Sequence, residues 1–271
     1  MPANVRRFVE KSASAGADAI ILDLEDSVPV AQKAAARAAL AEAIPIARSG
    51  GATILVRVNR PLRLALPDIE AAAAAGADGI LLTKVLGPEH IILAGEVLAE
   101  VETRPMAIVP VVETAAAVLK VEAIARASPR IAALLIGAED LAAECNAAPD
   151  DDLMAQAKRQ MVLAAVAAGV APLGTLGTVA DFRDPEAVRA LALRSRRSGL
   201  VGATCIHPSL VPVMNAAFAP SAEEVDRARR QIAAAAEAAA EGRGSFVVDG
   251  MMVDEPVLIR ARRTLAAAGR G

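Results

Sequence analysis

A polar residue closes each short apolar run of this chain at a nearly constant interval. Glu25, Arg57, Lys84, Glu113, Asp140, Thr175 and His207 stand at or just past the ends of the runs Ala19 to Leu24, Thr53 to Val58, Gly79 to Thr83, Met106 to Val112, Ala132 to Ile136, Val170 to Leu173 and Val201 to Cys205, at steps of 32, 27, 29, 27, 35 and 32 residues. Such a step holds one strand and one helix, and the stretches between the runs are Ala-rich and amphipathic, so each strand is expected to run parallel to the last. Polar groups confined to the carboxyl ends of the strands suit a TIM-type (β/α)8 barrel, whose site is built on that face, better than an open doubly wound sheet. The first strand-helix turn, Leu24-Glu25-Asp26-Ser27, carries no G-x-G-x-x-G, which disfavours a nicotinamide Rossmann enzyme.

An eight-stranded barrel calls for a strand ahead of the helix that begins near Asn4, yet only Met1, Pro2 and Ala3 precede it. The expectation is a barrel lacking most of its first strand: either the true start lies upstream, or one side is open and its edges need cover. Apolar residues make up 55% of the 271, and no long polar or Ser/Gly/Pro-rich stretch interrupts them, which favours one domain. Residues 1–220 would form the barrel and 221–271 a C-terminal helical arm or lid of the same domain. That tail reads as a helix from about Ser221 to Glu241, opened by a capping box of Ser221 and Glu224, then Gly242-Arg243-Gly244, an apolar run from Ser245 to Val248, Asp249-Gly250, and a last helix from about Glu255.

Composition excludes several classes of function. A net charge of -3 with acids and bases interspersed offers no broad positive field, and only 1% of residues are aromatic, so nucleic acid is a poor partner. No apolar run approaches the roughly 18 to 20 residues that span a bilayer. The opening MPANVRRFVEKS lacks the apolar core of a signal peptide, and a cytoplasmic protein is expected. Cys145 and Cys205 form no C-x-x-C pair and read as inert thiols.

The candidate chemistry sits at the strand ends. Glu113 in VVET and Asp140 in GAED lie on neighbouring strand ends, where two carboxylates can share a hard cation; alternatively each caps the helix that follows, and position alone leaves both open. In Leu55-Val56-Arg57-Val58-Asn59 the alternation puts Arg57 and Asn59 on the face of Leu55. Arg57 then either meets a carboxylate or enolate oxygen of a ligand or forms an ion pair with Glu25 or Asp26, and the acidic pair nearby favours the ligand. Asp23, Glu25 and Asp26 place three carboxylates within four positions, which raise one another's pKa and suit proton transfer, although a supporting role bonded to metal waters or to Lys84 fits equally. Lys84 is a Schiff-base candidate by position, but that chemistry has no use for the Glu113 and Asp140 pair. His207 reads as structural or peripheral, His90 as solvated surface, and Asp254 as the cap of the last helix.

In LDLEDSV, VRVN, VVETAAAV, GAEDLAAE, CIHPSLVPVMNAAFAPSAEEV and VDGMMVDEPV the sequence resembles the citrate lyase beta-subunit-like branch of the HpcH/HpaI aldolase superfamily, in the family's order from Met1 to the C-terminal helix. The resemblance implies a (β/α)8 barrel in a homo-oligomer, a trimer or a hexamer. It implies Mg2+ held by Glu113 and Asp140 and an arginine, Arg57, at the oxo-acid or enolate end; Lys84 and Glu113 are the further candidates for substrate contact. It also implies an arm covering a neighbour's site, with Asp254 as acid/base in trans, against its local reading as a cap.

Members cleave or form carbon–carbon bonds in malyl-CoA, citramalyl-CoA or citryl thioesters by retro-Claisen chemistry, and some hydrolyse the thioester. A pyruvate-type aldolase acting on small 4-hydroxy-2-oxo acids, and a silent subunit of a lyase complex, are the alternatives. The chain departs from the family pattern in three places. The opening R-S-x-L-F-V-P-G strand is reduced to Met1-Pro2-Ala3-Asn4, Leu173-Gly174-Thr175-Leu176 replaces L-D-x-V, and Ala117 stands where E-T-A-x-G-V has glycine.

Overall fold

The computed structural model describes residues 1–178, 183–240 and 244–269. The chain forms two units, Met1–Asn215 and Ala216–Gly271.

The first unit is built on a parallel sheet of six strands in sequence order: β1 (Ala19–Asp23), β2 (Thr53–Val58), β3 (Gly79–Leu82), β4 (Ala107–Val112), β5 (Ala133–Ile136) and β6 (Ala171–Leu173). Helices α1 (Arg6–Ser12), α2 (Lys33–Arg48), α3 (Leu62–Ala74), α4 (Pro88–Val101), α5 (Ala115–Val118), α6 (Val121–Ala125), α7 (Ala138–Cys145), α8 (Asp152–Ala168), α9 (Pro185–Arg197) and α10 (Val211–Phe218) follow the sheet positions in alternation. Covered on both faces, these strands read as nearly unbroken apolar runs. Ile20, Leu22, Ile54, Val56, Val58, Ile80, Leu82 and Ile108 are buried on one face. On the other, Leu81, Val109, Val111, Ala133 and Leu135 form a buried cluster, with Ile21, Leu55, Ala171 and Leu173 half-buried against it. The interior is thus fullest at β3 to β5 and thins toward both margins of the curl.

Beyond those margins the sheet continues as single bridges. Pro2 pairs in parallel with Asp23, and its neighbours complete the contact through Asp23 N–H to Met1 O at 2.8 Å and Ala3 N–H to Asp23 O at 3.0 Å. The remnant of the opening strand therefore occupies the first position of the barrel. At the other margin Gly202 bridges Leu173, flanked by Val201 N–H to Pro172 O and Gly174 N–H to Gly202 O. The strand expected from Val201 to Cys205 is only this bridge. Among the described residues no bridge joins 1–3 to 201–203, so the architecture is a curled half-barrel extended at each margin.

The second unit pairs α11 (Ala222–Ala240) with α12 (Glu255–Ala268) and carries a hairpin of β7 (Phe246–Val248) and β8 (Met251–Val253). The capping box is present: Ser221 N–H donates to Glu224 Oε2 at 2.8 Å, and Glu224 N–H to Ser221 Oγ at 3.2 Å. Glu241, Gly242 and Arg243 of the expected helix end and turn lie outside the described residues. The second strand was not expected from sequence, although Asp249 and Gly250 are its signal. Both adopt positive φ, 52° and 75°, as the two-residue turn that matches strand twist requires, and Arg230 holds Asp249 at 2.7 Å. Among the described residues no helix is long and apolar enough to cross a membrane.

Candidate active site

The carboxyl ends of β1 to β5 bring together Asp23, Glu25, Asp26, Arg57, Lys84, Glu113 and Asp140. Asp23 ends β1 and stands in register with Arg57 on β2. Its carboxylate receives the Arg57 guanidinium in a two-pronged bond, Nε to Oδ1 at 2.7 Å and Nη2 to Oδ2 at 2.6 Å. It also accepts the Glu25 N–H at 2.8 Å, the Ser27 N–H at 3.1 Å and the Ser27 hydroxyl. Burial alone would raise its pKa, but the guanidinium and these donors outweigh burial and hold it down at about 2. Asp23 is an anchor and no base.

The ion pair that sequence weighed against a ligand role for Arg57 is therefore made, with Asp23 as its main partner in place of the expected Glu25 or Asp26. Nη1 still faces Glu25 Oε2 at 3.2 Å and Asp26 Oδ2 at 3.7 Å, so the remaining edge of the fork belongs to the acidic turn. Asn59 turns away from this group: it is buried, and its amide donates to Leu24 O and to Asp68 of α3.

The three carboxylates do not shift together. Burial, then the hydrogen bond with Asp26, raises Glu25, with Lys84 and Arg57 pulling the other way. For Asp26 the bonds with Glu25 and Lys84 overcome burial and lower it. Glu25 is thus the weaker acid of the pair and Asp26 the stronger.

Lys84 links this turn to the next strands. Its ammonium bonds Glu25 Oε1, reaches Asp26 at 3.2 and 3.3 Å, and lies 3.9 Å from Asp140. Burial opposes its charge, but Glu25 and Asp26 prevail and raise its pKa above the usual range. An amine paired in this way is a poor nucleophile, which counts against the Schiff-base reading.

Glu113 follows β4 and is 5% exposed. Its Oε2 accepts the Lys84 N–H at 2.7 Å. Burial, with the charges of Asp140 and Glu25 adding to it, pushes its pKa up to about 7 against the opposing pull of Lys84. Gly137 makes room for it: a Cβ there would sit 2.8 Å from Glu113 Cδ and closer still to Oε1. Asp140 lies in the first turn of α7, beyond the β5 strand end that pairs with β4. An acid whose pKa is raised by burial and, beyond that, by a second acid is what a hard cation relieves. Among the described residues no group of three or more His, Cys, Asp or Glu side chains is placed to hold a metal alone, so a cation here would take its remaining oxygens from water or substrate.

The remaining candidates are held by other contacts. His207 caps the turn at Pro208–Leu210, with its Nδ1 2.7 Å from Ser209 Oγ. Thr175 is buried and donates to Gly177 O at 3.1 Å. Asp254 caps α12 in the second unit, accepting the Val257 N–H at 3.3 Å. His90, expected at the surface, is half-buried, its Nδ1 has no hydrogen-bond partner among the described residues, and burial and the charge of Arg60 lower its pKa.

Two residues escaped sequence reasoning. Lys33 is buried and donates to Leu24 O at 3.0 Å and Glu25 O at 2.9 Å. Lys158, on α8, is 4% exposed and donates to Gly177 O at 2.9 Å; burial, eased by Glu139, brings it down to about 8. The available signal was position: each lies on the apolar stripe of its helix, Lys33 with Ala36, Leu40 and Ala47, Lys158 with Met154, Met161 and Ala165.

The sequence matches the family described as HpcH/HpaI aldolase/citrate lyase over residues 1–208. The chain belongs to this family. It is 36% identical over 271 residues to a (3S)-malyl-CoA thioesterase of Cereibacter sphaeroides strain KD131, covering 99% of this chain and 92% of that protein. An L-malyl-CoA/beta-methylmalyl-CoA lyase of Cereibacter sphaeroides strain ATCC 17029 is 33% identical, with 93% of this chain and 88% of that one covered. The crystal structure of CitE from Mycobacterium tuberculosis in complex with magnesium, acetoacetate and coenzyme A superposes with a TM-score of 0.83 at 33% identity, over 99% of this chain and 96% of that one. The HpcH/HpaI chain described here thus shares the CitE-like barrel, and the resemblance seen in its six motifs holds across nearly its whole length.

Proposed function

We propose that this chain is a Mg2+-dependent enzyme that cleaves the carbon–carbon bond of a short 3-hydroxyacyl-CoA thioester such as malyl-CoA or citramalyl-CoA. Glu113 carries the reading: a buried carboxylate facing Asp140, with a single backbone N–H as hydrogen-bond donor among the described residues, fits a cation site better than a helix cap. The magnesium and coenzyme A named with CitE agree with it. Glu113 and Asp140 would hold Mg2+, which when bound supplies Lewis acidity at the substrate oxygens.

The protein groups divide the remaining work. Arg57 and Lys84 present positive charge to the oxo-acid end of the substrate. The Glu25 and Asp26 pair takes the proton of the substrate hydroxyl, and the electrons of the breaking bond pass to the carbon beside the thioester carbonyl, releasing an oxo acid and leaving an enolate. Asp254, supplied by a neighbouring subunit of a trimer or hexamer, returns a proton to that carbon, so that malyl-CoA yields acetyl-CoA and glyoxylate. The compartment proposed is the cytoplasm.

Hydrolysis of the same thioester is the second reading, favoured by the 36% identity to a protein named a malyl-CoA thioesterase. One experiment separates the two. The chain, quantified by a method independent of tyrosine and tryptophan because it has neither, is incubated with malyl-CoA and citramalyl-CoA with and without Mg2+, and products are identified by mass. Acetyl-CoA with an oxo acid, formed only with Mg2+, is expected; free CoA with malate or citramalate establishes hydrolysis, and no turnover of either thioester overturns both.

A further inference from the structure

Lys33 is poorly placed for stability. It is the first residue of α2, where a positive charge opposes the helix dipole, and its side chain is buried. Both costs are offset by what the ammonium touches, the carbonyl oxygens of Leu24 at 3.0 Å and Glu25 at 2.9 Å. The opposite edge of that same turn bonds acids: Glu25 N–H and Ser27 N–H point to Asp23, and Asp26 N–H to Glu25 Oε2 at 3.0 Å. The turn is held between a cation under its carbonyls and carboxylates over its amides, and Asn59 adds a second donor to Leu24 O at 2.8 Å. From this backbone Glu25 and Asp26 reach Lys84 and Arg57.

We propose that Lys33 is a positioning residue whose ammonium, clamped on the carbonyls of Leu24 and Glu25, fixes the acidic turn so that Glu25 and Asp26 meet Lys84 and Arg57. Its link to turnover rests on the function proposed above; its link to the turn does not. Lys33 touches neither Glu113 nor Asp140 through any hydrogen bond among the described residues, so its loss acts first on the turn.

The test is amide hydrogen exchange on the full chain without added metal, comparing wild type with Lys33→Met, Lys33→Gln and Leu40→Ala. The last opens a cavity under the same helix, two turns on from Lys33. Lys33→Met is expected to speed exchange of the Glu25, Asp26 and Ser27 amides about tenfold or more, the effect of losing charge-assisted bonds. Lys33→Gln, one bond shorter and neutral, is expected to fall between, and it decides the matter should Lys33→Met not fold. Leu40→Ala is expected to loosen α2 and leave those three amides protected. Unchanged protection of the turn in the folded Lys33 variants, or equal loss in Leu40→Ala, overturns the proposal.

With malyl-CoA as probe, the Lys33 variants are expected to lose kcat about tenfold with KM and Mg2+ requirement little changed. A rise in KM alone counts against positioning. If wild type turns over no thioester the functional reading falls, and exchange alone decides the role of Lys33.

Discussion

Lys84 faces two ways: its N–H donates to Glu113 at 2.7 Å while its ammonium bonds Glu25 from the far side of the site. A left-handed backbone, φ 49°, makes this possible, a conformation uncommon outside glycine, asparagine and aspartate. One residue thus couples the carboxylate pair at β4 and β5 to the acidic turn after β1.

The ammonium of Lys84 is held charged, so treatment with borohydride in the presence of pyruvate or glyoxylate should leave Lys84 unmodified when the protein is analysed by peptide mass. A reduced adduct on Lys84 would show that its amine is neutral and reactive, and would restore the Schiff-base alternative. Lys84→Met is expected to lower kcat severely, because it strips Glu25 and Asp26 of their shared cation.

Glu113 makes the metal-free protein sensitive to pH near neutrality. Its pKa is raised in the folded state from 4.5 to about 7, so the folded chain binds more protons than the unfolded one in that window. Stability conferred by the protonated acid is present below pH 4.5 and lost as pH rises through 7, by up to about 3 kcal/mol. Thermal melts of the chelated protein should therefore fall across this range. Glu113→Gln is expected to flatten that slope and to abolish Mg2+-stimulated activity, as is Asp140→Ala. Added Mg2+ should raise the melting temperature of wild type at pH 7.5 and not that of the variants; equal shifts in all of them would remove the metal site.

Gly137 tests the same pocket by shape. Its alanine variant places a methyl inside the space of the Glu113 carboxylate. Displacing that side chain is expected to cost about 1–3 kcal/mol and to weaken Mg2+ dependence, read as the metal concentration for half-maximal activity. Wild-type metal dependence in a folded Gly137→Ala protein would mean that Glu113 is not where the cation binds.

The periodic framework was legible because strand length and spacing are written in the apolar runs: Thr53–Val58 is the same span by sequence and by structure. The strand expected at Val201 to Cys205 failed for a reason sequence cannot express. A strand forms only against neighbours, and there Leu173 offers one bridge while no bridge meets the other side among the described residues. The acidic turn and Arg57 were legible as residue types, but which acid takes the guanidinium depends on the register that sets Asp23 beside Arg57. The buried lysines were the larger miss. Lys33 and Lys158 interrupt apolar stripes, and a charge on such a stripe signals a buried partner; here the partners are backbone carbonyls, which leave no mark in a sequence.

Asp23 has the opposite pH signature to Glu113. Its pKa is depressed from 3.8 to about 2, so the stability it confers is present above pH 3.8 and is lost as pH falls through 2. The difference is worth about 2 kcal/mol. Asp23→Asn keeps the size and one acceptor but leaves the half-buried Arg57 without its two-pronged anion. The variant is expected to lose about 2 kcal/mol in urea unfolding at pH 7 and to show a shallower decline between pH 4 and 2. Activity should fall as well, since Arg57 then turns its whole fork to Glu25 and Asp26 and withdraws those carboxylates from proton transfer. A variant of wild-type stability with normal turnover would show that Arg57 takes its orientation from the acidic turn alone, and that the pairing of Asp23 with Arg57 across β1 and β2 is incidental to the site.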